Sequence, residues 1–313
     1  MREEKCTIHL MGTVIQIWVQ HENPEVLLKE AQKRLMDYEK RFSANDSSSN
    51  LMKINQQAGI APVRTDLDLF ELIKIGKQHS LAENSFLNIA IGPMVQEWRI
   101  GFSNAAHPSD ERIEALLSLI DPKNVELNEA ETTVFLKNSG MAIDLGALAK
   151  GYFADQIIHY FKNEGAKAAF IDLGGNVLTF GESPHHEDGY WRIGLQNPFL
   201  PRGNHAAVLK IKNQSVVTSG IYERKFEWQG KNYHHIFSSE TGYPIETDLA
   251  SLTIVSKLSL DGEIWTTRLY GKKAAEVIAF LSRQKEIEGL VITTDGRMAH
   301  TQGLTGALEH VIS

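Results

Sequence analysis

The sequence predicts an α+β protein in which helices are inserted between mixed, mostly antiparallel sheets. Short segments with β-branched residues or alternating hydrophobicity recur along the whole chain. Several follow one another in pairs that suit hairpins, and amphipathic helical segments stand between the pairs. No G-x-G-x-x-G follows a predicted strand and no Walker-type loop is present, so the sequence gives no support to the common nucleotide-binding folds.

Length and composition are those of an ordinary globular protein. The 313 residues are 42% hydrophobic and 23% charged, which is enough to bury one large core or two smaller ones. We expect a single unit over residues 1–313, for which two packed α/β lobes with the functional site between them are one arrangement. A formal net charge of −7 argues against a general binder of nucleic acids or anionic membranes. The single cysteine, Cys6, excludes an intrachain disulfide.

No segment of the sequence predicts membrane insertion or export. No apolar run reaches the length of a membrane-spanning helix. The N-terminal segment MREEKCTIHLMG carries acidic residues and lacks the apolar region of a signal peptide. We therefore expect a cytoplasmic protein for the chain as given, and a secreted or lipid-anchored protein whose leader had been removed would have the same sequence.

The first half of the chain contains several predicted helices. Pro24 suits the first turn of a helix, where its missing N–H costs little, and Leu67 to Ile75 carries apolar residues at helical spacing. Ser, Asn and Asp residues after Phe42 favour a loop. The predicted elements are a strand over 7–19 that bends at Gly12, helices over 24–38, 67–81 and 111–120, a polar loop over 42–50, a short helix near Trp98 after the apolar segment 86–94, and a hairpin over 125–136.

The second half alternates strands with two longer helices. One helix opens near Ala147, runs to about Lys162 and is ended by Gly165. The Gly174-Gly175 pair favours a hairpin between two apolar strands. The remaining predicted elements are the hairpin strands within 168–180, strands over 191–195, 206–211, 215–218, 225–228, 249–257 and 289–294, and a helix over 263–281 that is broken at Gly271.

The stretch MAIDLGALAKGYFAD, residues 141–155, combines groups that suit a phosphate. Asp144 precedes the predicted start of a helix, where free N–H groups and the positive end of the helix dipole favour an anion. Lys150 is unfavourable near that end of a helix unless an anionic ligand lies beside it. A purely structural interpretation stays open, in which Asp144 caps the helix and Lys150 is a solvated surface residue.

Two histidines, His234 and His235, end a short predicted strand and lead towards a TGYP turn. Because neighbouring residues of a strand point to opposite faces, the two do not readily share one metal ion. One of them could serve as a general base for an attacking hydroxyl, and the alternative is a packed or surface residue. The other histidine pair, in the loop SPHHEDG, is better interpreted as solvated.

Asp261 stands where a helix is expected to open, so it is either an N-cap or a ligand for a hard cation such as Mg²⁺, which prefers oxygen. Ser219 precedes Gly220 in VVTSGIYER, where a predicted strand enters a tight turn. Together with residues 141–155 and the His234-His235 pair, these stretches predict a site for a phosphate-bearing ligand and a divalent metal.

Taken in order, these stretches resemble the ApbE family of FAD:protein FMN transferases. The motifs are MGT at Met11, NIAIGPMVQEW, AIDLGALAKGYFAD, FIDLGGN, WRIGLQNP, VVTSGIYERKF, YHHIFSSETGYPI and the LASLTIVS run before Asp261, and they cover nearly the whole chain. The resemblance implies the family's α+β fold, which is related to the T-fold. It also implies a Mg²⁺-dependent enzyme that transfers the FMN half of FAD to a threonine hydroxyl of a target protein and releases AMP.

The resemblance further implies roles for individual residues. The residues expected to contact FAD are Met11, Ser43, Ala44, Asn45, Asp144, Lys150, Ser219 and Tyr233. Mg²⁺ is expected at the backbone oxygen of Ala147 and at the carboxylate of Asp261, and the expected catalytic residues are His235, Lys150 and Asp261. The expected partners are FAD and an acceptor protein, without nucleic acid and without a membrane span.

One departure from the family concerns position 265. The family has Asp-x-x-x-Thr, whereas here Trp265 stands four residues after Asp261 and threonines follow at 266 and 267. In a regular helix Thr266 lies about 140° round from Asp261, so Thr266 is a metal ligand only if the segment is irregular. A metal at the Ala147 carbonyl likewise requires that residues 144–147 form a loop or a distorted turn, since a helical carbonyl already accepts a hydrogen bond.

Two other functions stay open on the sequence alone. The first is a FAD pyrophosphatase, in which water replaces the threonine and the products are FMN and AMP. The second is a flavin-binding protein without catalysis, which the missing threonine at Trp265 motivates. Water and threonine use the same mechanism, so the residues do not separate the transferase from the hydrolase.

Overall fold

A computed structural model describes residues 1–311, over which the chain forms sixteen strands and eight α-helices. The strands are β1 (Arg2–Leu10), β2 (Thr13–His21), β3 (Val63–Arg64), β4 (Val125–Asn128), β5 (Thr133–Leu136), β6 (Ala168–Leu173), β7 (Asn176–Phe180), β8 (Trp191–Gln196), β9 (His205–Ile211), β10 (Ser215–Gly220), β11 (Lys225–Trp228), β12 (Lys231–His234), β13 (Leu249–Ser256), β14 (Glu288–Thr293), β15 (Met298–His300) and β16 (Leu308–Val311). The helices are α1 (Pro24–Phe42), α2 (Asn50–Gln56), α3 (Leu67–Ser80), α4 (Gly92–Trp98), α5 (Asp110–Leu117), α6 (Ala149–Asn163), α7 (Ser259–Leu269) and α8 (Ala274–Leu281).

The largest sheet has eight strands in the order β1-β2-β6-β7-β10-β13-β14-β15, and every neighbouring pair in it is antiparallel. Three smaller sheets have the orders β16-β9-β8, β3-β5-β4 and β11-β12. The predicted α+β class with mostly antiparallel sheets is confirmed. No helix within residues 1–311 combines the length and the apolar character that crossing a membrane requires.

Helices cover one face of the large sheet, and strands β8 and β9 pack on the other. Side chains along β2 alternate between the two faces of the sheet. Ile15 and Ile17 are buried with residues of α1, α3 and α6. Trp18, on the opposite face, packs against Trp191 of β8 with ring centroids 5.4 Å apart. Both faces of the sheet are therefore buried, and its polar residues can reach ligands only at its edges and strand ends.

The N-terminal segment is a hairpin and not the single bent strand that its pattern predicts over 7–19. Strands β1 and β2 pair over their full length and are joined by Met11 and Gly12. Both joining residues have positive φ, 54° for Met11 and 69° for Gly12. Two-residue hairpin turns require this backbone, and a methionine there gives no sequence signal for it. The predicted bend at Gly12 is thus a complete reversal of the chain.

Several other boundaries differ from the predictions. Helix α1 continues to Phe42, four residues beyond the predicted end, and α2, β3, β15 and β16 were not predicted. The predicted helix over 263–281 is indeed broken at Gly271, but its first part, α7, starts at Ser259. Asp261 therefore lies inside α7, and the N-cap position belongs to Leu258. The interpretation of Asp261 as an N-cap is wrong.

The start of α7 is fixed by a side chain from α6. The two carboxylate oxygens of Asp155 accept hydrogen bonds from the N–H groups of Ser259 and Leu260, at 2.8 and 2.9 Å. One turn earlier in α6, Gly151 allows close approach, because a Cβ there would lie 2.6 Å from the Ser259 carbonyl oxygen and 2.8 Å from Cγ of Glu263. From Ser259 the helix α7 runs back along α6, past Gly151, towards the N-terminal end of α6.

Candidate active site

The residues before α6 form a turn, so Ala147 is not part of the helix. The N–H groups of Leu148 and Ala149 both donate to the Leu145 carbonyl, and α6 begins at Ala149. Ala147 is exposed, and no hydrogen bond to its carbonyl oxygen occurs within residues 1–311. The backbone therefore meets the condition that a metal at this carbonyl requires.

Asp144 lies at the beginning of this turn and does not cap α6. Its Oδ1 accepts a hydrogen bond from the Gly146 N–H at 2.7 Å, while Leu148 holds the N-cap position. Burial raises the pKa of Asp144, and the Gly146 N–H and the charge of Arg224 oppose that rise. The helix-cap interpretation of Asp144 is wrong, and the carboxylate belongs instead to the group of charged residues around the turn.

Lys150 forms an ion pair with a buried carboxylate that the sequence argument did not consider. Its Nζ lies 3.6 Å from Oε1 of Glu263, whose exposed fraction is only 4%. The same carboxylate oxygen accepts a hydrogen bond from Nδ2 of Asn176 at 2.9 Å. Glu263 thus supplies the negative charge that makes a lysine acceptable in the first turn of a helix, and an anionic ligand is not needed to explain Lys150.

The structure does not bring Asp261 to this group. At about 100° per residue, the side chains of Asp261 and Glu263 point in directions about 160° apart, and Glu263 is the one that faces α6. Burial and then the charge of Glu286 raise the pKa of Asp261. The charge of Asp261 in turn raises the pKa of Asp155. Asp261 is placed away from Lys150.

Thr266 is likewise not placed as a ligand beside Asp261. The helix α7 is regular over Ser259–Leu269, Thr266 is fully buried, and its hydroxyl donates to the Glu263 carbonyl at 3.1 Å. Trp265, at the position of the family threonine, packs against Phe280 of α8 with ring centroids 5.2 Å apart. The irregular helix that a ligand role for Thr266 requires is absent from α7.

Glu263 and Thr267 share the face of α7 that is turned towards α6. They are four residues apart, about 40° round the helix. The family has an acid and a threonine at the same spacing, and its acid corresponds to position 261, two residues before Glu263. Thr267 is partly exposed, and its hydroxyl has no hydrogen-bond partner in the part of the chain that the structure describes. Within residues 1–311, no three His, Cys, Asp or Glu side chains are clustered to hold a metal ion, and this pair adds a hydroxyl to one carboxylate.

The two histidines have different environments. His234 lies at the end of β12, and its Nε2 is 2.9 Å from the Ile245 carbonyl oxygen. His235 follows the strand, with its Nδ1 3.4 Å from the Arg224 carbonyl oxygen. Burial, the charge of Arg224 and smaller effects of His234 and Lys150 lower the pKa of His235 to about 4. His235 is therefore neutral at pH 7 and shares the electrostatic neighbourhood of Lys150.

Three of the remaining predicted FAD contacts lie in different surroundings. The Met11 N–H donates to Oε1 of Glu39 at 2.6 Å, and the adjacent Gly12 adjoins the Arg224 guanidinium. Tyr233 packs among aromatic rings, with its centroid 5.3 Å from that of Trp98 and the two rings tilted by 38°. Ser219 lies near the end of β10, where the chain turns towards Arg224.

The loop that contains Ser43, Ala44 and Asn45 is held mainly by its own hydrogen bonds. The Ser43 hydroxyl accepts from the N–H groups of Asn45 and Asp46, both at 3.1 Å. No hydrogen bond or ion pair within residues 1–311 joins this loop to Lys150, Glu263 or His235. The predicted FAD contacts at Ser43, Ala44 and Asn45 stay predictions.

Sequence reasoning missed four residues of the site, although each lies in or near a quoted motif. Asp172 and Asn176 belong to FIDLGGN, Arg224 to GIYERKF and Glu263 to the helix after LASLTIVS. Burial raises the pKa of Asp172, while the N–H groups of Gly175 and Gly174 and then the charges of Lys150 and Arg202 lower it. Glu263 and Thr267, an acid and a threonine four residues apart, are a sequence signal that points to this face of α7.

The fold and this arrangement of charged groups define an α+β protein with a candidate active site where helices α6 and α7 meet. The ApbE family model matches residues 11–291, and the chain belongs to the ApbE family. A FAD:protein FMN transferase of Klebsiella pneumoniae is 40% identical over 91% of this chain and 87% of its own length. One of Treponema pallidum is 32% identical over 97% of this chain and 88% of its own.

Solved structures have the same fold. The crystal structure of the ApbE protein from Thermotoga maritima superposes with a TM-score of 0.88 at 26% identity, covering 99% of this chain and all of that one. The apo flavinyl transferase ApbE from Pseudomonas stutzeri gives a TM-score of 0.83 at 24% identity, covering 98% of both chains. The α+β architecture predicted from the sequence is therefore that of the family.

Proposed function

We propose that this protein transfers the FMN half of FAD to a threonine hydroxyl of an acceptor protein and releases AMP. The observation that carries the proposal is the assembly of Lys150, in the first turn of α6, with the buried Glu263, and the charge of Lys150 also acts on His235. The assembly occurs in a chain that is 40% identical to a FAD:protein FMN transferase along most of its length. Helix starts with nearby cations suit a diphosphate, and a neutral imidazole suits a proton acceptor.

The proposed reaction forms one phosphoester bond and breaks one phosphoanhydride bond. The threonine oxygen attacks the phosphorus on the FMN side of the diphosphate, and the bond from that phosphorus to the bridging oxygen breaks. AMP leaves with the bridging oxygen and its electron pair. The threonine proton passes to a base, for which Nε2 of His235 is the candidate, because Nδ1–H faces the Arg224 carbonyl oxygen and leaves the Nε2 lone pair free.

The protein's remaining task is to hold the diphosphate and its developing charge. In the turn over 144–148, the N–H groups of Leu145 and Ala147 have no hydrogen-bond partner within residues 1–311, and Lys150 follows in the first turn of α6. Glu263 and Asn176 restrict the position of the Lys150 ammonium group. A pre-positioned cation stabilises the charge on the phosphoryl oxygens without reorganising during the reaction.

The residues around this turn fit an Mg²⁺ ion, with a donor set that differs from the one the sequence predicts. The Ala147 carbonyl has no hydrogen-bond partner within residues 1–311, Glu263 offers a carboxylate beside Lys150, and Thr267 offers a hydroxyl on the same face of α7. We propose these three oxygen donors in place of Asp261 and Thr266. When bound there, Mg²⁺ would neutralise charge on the diphosphate.

The structure weakens the case for a flavin-binding protein without catalysis. That alternative depended on Trp265 at the position of the family threonine. Thr267 now supplies a hydroxyl four residues after an acid, and Trp265 fills the contact between α7 and α8. No observation favours the hydrolase over the transferase, and the test below separates the two.

The test uses the purified full chain with FAD, Mg²⁺ and a co-expressed candidate acceptor protein, followed by mass spectrometry of acceptor peptides. We expect the mass of one FMN on a threonine and loss of that adduct when the threonine is changed to alanine. Release of AMP without any acceptor and without an adduct would identify a FAD pyrophosphatase. Tight FAD binding with no Mg²⁺-dependent turnover of any kind would contradict both enzymatic functions.

A further inference from the structure

Arg224 reaches into the site between two loops that carry glycine. It follows β10 by four residues and precedes β11. Its Nη2 lies 3.8 Å from the position that a Cβ of Gly12 would take, and its Cδ lies 2.9 Å from the corresponding position at Gly101. Both glycines have positive φ, 69° and 95°, so a side chain at either place would be strained, and one at Gly101 would also collide with Arg224. The backbone of two loops thus leaves a channel for one long cationic side chain.

The guanidinium is a cation without an ion-pair partner among residues 1–311. In contrast, Arg202 nearby is paired with Glu223. The charge of Arg224 acts on Asp144 at the turn before α6 and on His235. His235 is also within range of Lys150, so two cations from different elements act on one imidazole.

We propose that Arg224 is a second cation, besides Lys150, that binds the diphosphate. This inference rests on the function proposed above. A dinucleotide such as FAD carries one negative charge on each of its two phosphates, and the two cations Arg224 and Lys150 match that pair. The planar guanidinium can donate two parallel N–H bonds to one phosphate, which an ammonium group cannot do.

Binding of the diphosphate beside Arg224 would also make the imidazole of His235 a stronger base. The charged or titratable groups that act on His235 are Arg224, Lys150 and His234, and all three disfavour its protonated form. An anion placed between Arg224 and Lys150 cancels their potential at the ring. The imidazole consequently becomes a stronger proton acceptor when the diphosphate is bound and stays a weak one when it is not.

The experiment measures binding and does not depend on turnover. Isothermal titration calorimetry with ADP and with FAD compares the full-length wild-type protein with Arg224→Gln, Arg224→Lys and the neighbouring control Lys225→Gln. We expect the dissociation constants for both ligands to rise about tenfold or more in Arg224→Gln, as for loss of a charge-assisted hydrogen bond, less in Arg224→Lys and not in Lys225→Gln. Circular dichroism confirms that each variant is folded, and Arg224→Lys keeps the test valid if the glutamine variant is not.

The outcomes distinguish this inference from the proposed function. Unchanged affinity in folded Arg224 variants, with a wild-type protein that transfers FMN, would overturn only the role of Arg224. An equal loss in Lys225→Gln would show a general effect of surface charge and would also overturn it. A wild-type protein that binds ADP through Arg224 but never transfers FMN would contradict the proposed function and leave the diphosphate site standing.

Discussion

At the scale of single residues, the site depends on which side chains of α7 face α6. Glu263 is buried against Lys150 and Asn176, while Asp261 points about 160° away round the helix. A buried carboxylate without a partner is costly, so the contact between Glu263 and Lys150 is needed whether or not a ligand is bound. Glu263 is therefore the acid of α7 that belongs to the candidate active site.

The first prediction separates the two acids by conservative amide substitutions. We expect Glu263→Gln to raise the half-saturating Mg²⁺ concentration about tenfold or more, because the substitution removes a carboxylate ligand. The variant keeps the hydrogen bond from Asn176. Asp261→Asn should keep near wild-type Mg²⁺ dependence. The measurement is Mn²⁺ binding by electron paramagnetic resonance, together with AMP release. The reverse ranking of the two variants would restore Asp261 as the ligand.

The second prediction concerns the titration of His235. Its pKa in the folded, ligand-free protein is lowered to about 4 by burial and by the nearby cations, whereas an unfolded histidine titrates near 6.5. Protonation therefore favours the unfolded chain, and the stability linked to His235 is lost as the pH falls from about 6.5 towards 4. The free energy of unfolding of His235→Gln should fall less than that of the wild type between pH 7 and pH 5. Urea denaturation at both pH values measures this, and equal losses would contradict the lowered pKa.

At the scale of elements, much of the fold was predictable because it depends on local patterns. The hairpins β4–β5 and β6–β7, the helix α3 and the break at Gly271 are all marked by spacing or by glycine. The start of α7 was not predictable, because its cap is Asp155, which lies 104 residues before Ser259. Since the helix has no local capping signal, the sequence pattern predicts its start only at residue 263.

The third prediction tests the contact between α6 and α7. Gly151→Ala would place a Cβ 2.6 Å from the Ser259 carbonyl oxygen and 2.8 Å from Cα of Leu260, so the helices must move apart. We expect a loss of about 1–3 kcal/mol in the free energy of unfolding, as for other overpacked interiors. The control is Gly306→Ala, where no atom lies within 4 Å of the added methyl group. Thermal unfolding of both variants gives the comparison, and equal melting temperatures would show that the contact tolerates a methyl group.

At the scale of the whole molecule, the eight-stranded sheet joins distant parts of the chain. Strands β1 and β2 come from the N-terminus and β14 and β15 from residues 288–300, and all belong to one antiparallel sheet. The sequence alone predicted the type of sheet but not the strand order, because pairing such as β2 with β6 is non-local and leaves no pattern at either strand. The candidate active site draws on six segments of the chain, which contain Met11, Ala147, Asn176, Arg224, His235 and Glu263.

The fourth prediction is that residues 1–313 unfold as one unit. Since a single sheet links both ends of the chain, its central strands cannot separate without exposing the cores on both faces. We expect the urea transitions followed by tryptophan fluorescence and by far-ultraviolet circular dichroism to coincide. Two transitions at different urea concentrations would instead indicate lobes that unfold independently.

The cap that Asp155 places on α7 has a consequence for synthesis of the protein. A growing chain that has released α6 already carries the turn before it and Lys150, but Glu263 and Thr267 follow more than a hundred residues later. Until α7 emerges and is capped by Asp155, the lysine has no partner, and the carboxylate and hydroxyl of the proposed metal site are missing. We therefore expect nascent chains to be catalytically silent, so that no acceptor is flavinylated by a transferase still on the ribosome.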